Sequence, residues 1–221
     1  IGHSAEPQSI REQCEASLRR LQSEYIDLYQ FHLGGYDMDA AERARETLEQ
    51  LVKEGKIRCY GWSTDDAERA ALFARGEHCA AIQQRFNIFE GSADVLALCE
   101  REHLASIIRS PLGMGLLTGK FSADSTLPAD DVRSQSGRQG LFQGGRPNPE
   151  FLQKVEALRE VLTADGRTLA QGALGWLWAR SPVTIPIPGF KSVAQVEENA
   201  GAMRYGPLSA EQMQQIDQIL R

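Results

Sequence analysis

Tyr25-Ile26-Asp27-Leu28-Tyr29-Gln30-Phe31-His32 is the stretch on which the reading of this chain turns. Tyr25, Ile26, Leu28, Tyr29 and Phe31 give it the look of a buried strand. It delivers a histidine at its C-terminal end, and such strand ends are where an α/β barrel keeps its chemistry. Working outward, Ser9 to Leu21 places Ile10, Cys14, Leu18 and Leu21 at helical spacing, and Pro7 suits a helix start. Asp39 to Lys53 reads as the next helix, closed by Glu54-Gly55-Lys56 with glycine as a left-handed cap. Ile57 to Trp62 is a second strand. Asp65 or Asp66 caps a helix running to about Arg75.

The alternation continues. Ala80 to Gln83 is a short strand, Asp94 to Arg101 a helix, Ala105 to Arg109 a fourth strand and Val183 to Ile187 a fifth. Helices are expected over Glu150–Leu162, Thr168–Trp178, Val193–Asn199 and Ser209–Leu220, the last capped by Ser209. Phe121 to Pro149 is a long Gly, Ser, Asp and Pro-rich insertion, and loops of that length are usually functional or disordered. Its Asp130, Asp131, Arg133, Arg138 and Arg146 read first as solvated charges. No repeat or linker divides the chain, so 1–221 is expected to be a single domain of the α/β class with a parallel sheet. No GxGxxG follows a strand, so the dinucleotide fingerprint of the open doubly wound folds is absent.

Composition limits the functional classes. With 221 residues, 42% hydrophobic and 24% charged, the chain reads as an ordinary globular domain. A net charge of −6 disfavours nucleic acid and anionic membrane as partners. No apolar run approaches the ~20 residues that span a bilayer, and Ile1 to Pro7 lacks the pattern of a signal peptide. A cytoplasmic location is expected. Cys14, Cys59, Cys79 and Cys99 are widely spaced, so neither a metal site nor a disulfide is expected.

Polar or special residues close every strand: His32, Ser63, Gln83, Arg109-Ser110 and Gly189-Phe190-Lys191. A neutral imidazole at His32 could donate a hydrogen bond to a carbonyl that gains charge. In Arg109-Ser110-Pro111-Leu112-Gly113-Met114-Gly115-Leu116-Leu117-Thr118-Gly119-Lys120, the glycines permit close backbone approach and N–H groups suited to a pyrophosphate. Lys191 and the helix start after it suit an anion.

These motifs, in this order, resemble the aldo-keto reductases over nearly the whole chain. The resemblance implies a (β/α)8 TIM barrel, of which the chain carries strands 4–8, with strands 1–3 and their Asp, Tyr and Lys missing upstream. The histidine at the end of the family's fourth strand, here His32, helps polarise the substrate carbonyl. Ser63 matches the serine that binds the nicotinamide carboxamide, while Thr64 departs from the asparagine often found next. Gln83 matches the glutamine completing that site, with Gln84 as competitor, since strand alternation turns only one of them inward. Ser110, Pro111, Leu112, Gly113 and Gly115 match the pyrophosphate loop. Arg109 replaces a tyrosine that stacks on nicotinamide in many members. Gly189, Phe190, Lys191, Gln195, Glu198 and Asn199 match the adenosine 2′-phosphate and adenine segment. The insertion matches the long loop after the seventh strand, which folds over cofactor in many members, so hinged closure over NADPH is the alternative to solvated charges there.

The implied reaction is hydride transfer from NADPH to a small-molecule aldehyde or ketone. An alternative is a non-catalytic NADPH-binding module resembling potassium-channel β subunits; a third is another barrel enzyme with His32 as acid or base. Ile1-Gly2 is similar to the tail of the family's Thr-Lys-Val/Ile-Gly. Five strands alone would leave two sheet edges, so a chain standing alone is expected to form a homo-oligomer that covers them.

Overall fold

Hydrophobic spacing and turn chemistry place the elements close to where the sequence reading puts them. A computed structural model describes residues 5–135 and 140–221. Ile1-Gly2 and Arg138 lie outside the described residues. Contacts cluster into two compact units: one holds the chain up to Gln84 together with Gly91–Ile107, the other Arg85–Glu90 and Ile108–Arg221.

In the first unit, α1 (Pro7–Leu21), β1 (Ile26–Phe31), α2 (Met38–Lys53), β2 (Ile57–Ser63), α3 (Ala67–Ala74), β3 (Cys79–Arg85), α4 (Ala93–Arg101) and β4 (Ala105–Arg109) follow in turn, β3 and β4 passing into the second unit at their ends. The sheet order is β1-β2-β3-β4. β1 and β2 run parallel, with Gln30 opposite Gly61 and Phe31 opposite Trp62. β2 and β3 are also parallel, with Gly61 opposite Ala81 and Ser63 opposite Gln83. One irregularity interrupts that ladder. Tyr60 pairs with Cys79 but Gly61 with Ala81, so β3 carries an extra residue there.

The local reasons are legible. Pro7 opens α1, where its missing N–H costs nothing. Of the two candidate caps Asp65 and Asp66, it is Asp66 that accepts from the backbone N–H of Glu68 and Arg69. Gly55 adopts φ 73°, the left-handed cap expected of it. β3 is longer than Ala80–Gln83, running from Cys79 to Arg85; at its start Tyr60 N donates to the His78 carbonyl, which brings Cys79 into the ladder. On one face of the sheet Phe31, Trp62 and Phe73 pack ring against ring, with centroids 4.6 to 5.6 Å apart.

The second unit holds β5 (Phe142–Gln143), β6 (Arg146–Pro147), α5 (Pro149–Leu162), α6 (Leu169–Arg180), β7 (Thr184–Pro186), α7 (Val193–Gly201) and α8 (Ala210–Ile219). β7 is shorter than Val183–Ile187. Pro186 and Pro188 have no N–H to give, while Ile187 N, just beyond β7, donates to the Ile108 carbonyl at 3.0 Å. The insertion is less irregular than its composition indicates. β5 and β6 form a small hairpin closed by Gly144-Gly145, at φ 56° and 74°. Two successive positive φ angles are what a tight two-residue hairpin turn requires. Gly172 lets α6 approach α5: a Cβ there would lie 2.1 Å from the Leu162 carbonyl oxygen.

Candidate cofactor site

In the first unit, strand register sorts the candidate residues by face. Residues opposite one another on neighbouring strands share a face, and so do residues two apart on one strand. Gln30, Gly61, Ser63, Ala81 and Gln83 therefore lie on one face, and Phe31, Trp62, Ile82 and Gln84 on the other. The choice between Gln83 and Gln84 follows. Gln83 stands beside Ser63, whereas Gln84 is fully buried and donates Nε2 to Ser106 Oγ at 2.9 Å. Thr64 is occupied structurally: its Oγ1 donates to the Gly34 carbonyl at 3.1 Å. Trp62 Nε1 donates to the Leu33 carbonyl at 3.0 Å. These two bonds fasten the loop that follows His32, which is itself exposed immediately after β1.

Sequence reasoning gave Gln30 no role. It lies two residues before His32, and its Nε2 and Oε1 are buried with no hydrogen-bond partner among the described residues.

In the second unit, the turn after β4 forms one wall of a cavity of about 540 Å³. Ser110, Pro111, Leu112 and Gly115 line it from the turn; Gly189, Phe190 and Lys191 line it from the segment between β7 and α7, and Gln195, Glu198 and Asn199 from α7. Of the residues expected here, Arg109 and Gly113 are not in the wall. Arg109 ends β4 half-buried, and Gly113 is buried, its α-carbon facing Leu117 and Leu141. Gly115 needs its glycine, with φ 94° and Lys120 Cε and Nζ 3.2 Å from where a Cβ would stand. At Gly189 a Cβ would meet nothing within 4 Å, so packing does not demand glycine there.

The turn itself is tightly specified. Ser110 and Met114 sit at φ 54° and 55°, in the left-handed region that side chains rarely occupy. Asn87, buried and unassigned in the sequence reading, donates Nδ2 to the Ser110 carbonyl at 3.1 Å, while its Oδ1 accepts from Phe89 and Glu90 N–H groups. An asparagine two residues past the end of β3 is the cue the sequence carries.

Lys120, Asp131 and Arg133 also line the cavity. Desolvation, then the nearby Arg133 and Lys191 cations, push the Lys120 ammonium below its ordinary range. On the far wall, Lys191 N donates to Gln195 Oε1 at 2.7 Å, and Ser192 Oγ caps α7 by accepting from Gln195 N. Because that backbone group is a donor, the Gln195 side chain must turn its NH₂ elsewhere.

Residues 1–221 match the sequence profile of the Aldo/keto reductase family. The chain belongs to the aldo/keto reductase family. A Schizosaccharomyces pombe relative named as an NADP(+) aldo-keto reductase is 30% identical over 204 residues, spanning 90% of this chain and 58% of its own length. Arabidopsis thaliana pyridoxal reductase is 31% identical, over 91% of this chain and 55% of its own. This family member thus spans a little over half the length of those relatives. Among solved structures, glycerol dehydrogenase from Gluconobacter oxydans superposes with TM-score 0.85 at 30% identity, over 98% of this chain and 65% of that one. A Klebsiella pneumoniae aldo/keto reductase in complex with NADP and acetate superposes at 0.69 and 30% identity, over 97% and 66%. No helix among the described residues of this family member is long and apolar enough to cross a membrane.

Proposed function

We propose that the chain is strands 4–8 of a single aldo/keto reductase barrel, with 121–149 as the long loop after the seventh strand, and that it binds NADPH for reduction of an aldehyde or ketone. The observation that carries this reading is the cavity of the second unit. It combines Lys120, Arg133 and Lys191 with a glycine turn in which Gly115, at φ 94°, lets the Lys120 side chain lie against the backbone. Such a wall fits a phosphorylated dinucleotide: cations and backbone N–H groups answer its phosphates. The Klebsiella relative solved with NADP agrees with this choice.

The bound nicotinamide would supply the hydride. On the protein side, Ser63 and Gln83 share a face and would hold the carboxamide, Ser63 being buried. Lys191 and Gln195 would take the 2′-phosphate and favour NADPH over NADH. His32 would donate a hydrogen bond to the substrate carbonyl oxygen as charge develops there. Its loop is fastened by Trp62 and Thr64, which limits the imidazole's wandering.

The test is a fluorescence titration of the chain with NADPH and NADH, followed by nicotinamide oxidation with small aldehydes. Saturable binding that prefers NADPH, and is lost in Lys191→Ala, supports the reading. Absence of any binding overturns it. Binding by a whole protein that never turns over favours the regulatory-module alternative.

A further inference from the structure

Asp131 is out of place in a pocket for phosphate. The cavity wall carries the cations Lys120, Arg133 and Lys191, yet beside them it also carries this carboxylate, with Glu198 on α7 the other acid in the wall. Bringing a ligand anion beside a fixed one costs affinity. Asp131 is no bystander at the rim. Its Oδ1 and Oδ2 accept from Arg133 Nε at 2.8 Å and Nη2 at 2.6 Å, and Oδ1 also accepts from Arg133 N at 2.9 Å. The two side chains are shielded, 17% and 13% exposed. This fork-to-fork pairing is the geometry in which guanidinium recognises carboxylate or phosphate alike.

Arg133 is held by more than this pair. Its Nη1 donates to the Met114 carbonyl at 3.0 Å, and its guanidinium carbon lies 5.5 Å from the ring centroids of both Phe121 and Phe142. Those contacts keep the guanidinium in the wall whichever anion it faces. The hydrogen bonds from Arg133, with burial opposing them, hold the Asp131 carboxyl well below the usual carboxylate range, so it stays charged near neutrality.

We infer that Asp131 is an internal competitor for the ligand's phosphate: it fills the Arg133 fork when the cavity is free, and an entering phosphate takes that fork in exchange. This rests on the reading of the cavity as a phosphorylated-cofactor site. Binding then swaps one anion for another on the same donors. Asp131 thereby sets affinity and speeds release, and it does so without touching the reacting atoms.

Asp131→Asn keeps the shape and removes the charge; Asp131→Ser removes the same charge with a smaller side chain. Calorimetric titration of the 221-residue chain with inorganic pyrophosphate, and separately with NADPH, reads the effect. Both variants are expected to bind roughly tenfold more tightly than the parent, with slower dissociation and a steeper dependence on salt. Arg133→Met is expected to weaken binding. If the parent binds either probe and neither Asp131 variant tightens, the competitor role is overturned while the cofactor site stands. Weaker binding in both variants with a lowered melting temperature makes Asp131 a brace and equally overturns it. If parent and variants bind neither probe, the reading of the cavity falls and this inference with it.

Discussion

Gly61→Ala is a sharp test of the β2–β3 register. Glycine within a strand ordinarily costs about 0.5–1 kcal/mol relative to alanine, so the naive expectation is a more stable protein. Here the sign reverses. A Cβ at Gly61 would stand 2.3 Å from the Ala81 carbonyl oxygen and 2.9 Å from Gln30 Nε2, where approaches under 3.0 Å are essentially never seen. The strands would have to part by at least about 0.7 Å, and the neighbour is backbone, which yields less easily than a side-chain tip. Overpacking of this kind costs about 3 kcal/mol, the upper part of its usual range. For a chain of this size each kcal/mol moves the melting temperature by about 2–4 °C, so a fall of about 6–12 °C is expected. Circular dichroism melts read it, with Gly35→Ala as control, since a Cβ there meets nothing within 4 Å. Ser63 lies two residues further along the same strand, so on the proposed role of Ser63 weaker NADPH binding should accompany the loss. A melting temperature within about 2 °C of the parent would refute the register.

The thiols give an independent check. Burial pushes Cys79 up to about 12 and Cys99 up to about 11, so a thiol reagent at neutral pH should modify them only as fast as the chain opens, and quickly in denaturant. Glu49 accepts from Tyr60 Oη at 2.6 Å and lies 2.7 Å from His78 Nδ1. Burial works to raise its carboxyl, and the hydrogen bonds from Tyr60 and His78 more than offset this, leaving it lowered. Its contribution to stability is therefore present above its unfolded value of about 4.3 and lost as pH falls below that; Glu49→Gln should flatten the acid limb of a stability-versus-pH curve. Replacing the α3 cap, Asp66→Ala, should cost about 1 kcal/mol in denaturant unfolding.

The order of strands and helices was legible because spacing, caps and glycine stops all agreed over α1, α2, β1 and β2. What failed was what depends on the partner strand. β3 starts ahead of Ala80 because Tyr60 N reaches the His78 carbonyl, and β7 stops at Pro186, with Pro188 beyond it also lacking an N–H. Gln83 and Gln84 are indistinguishable in sequence, and only the bulge in register tells which shares a face with Ser63. The insertion misled in a different way. Asp131 and Arg133 stand two residues apart in a polar run, which reads as solvated surface, yet two phenylalanine rings and the Met114 carbonyl hold the arginine in the cavity wall. Asn87 escaped notice because its work is done on the backbone of a distant turn.

The left-handed turn at Ser110 and Met114 carries a consequence for anyone altering this chain. Each of these side chains holds a conformation that costs roughly 1–2 kcal/mol, which glycine would relieve. A search for heat-tolerant variants should therefore be drawn to these two positions, as to Gln22, His103 and Asp165, which share that conformation. What it gained in heat tolerance it would lose in definition, because glycine leaves the turn free to sample shapes the cavity cannot use. Endurance and recognition compete for the same few dihedral angles.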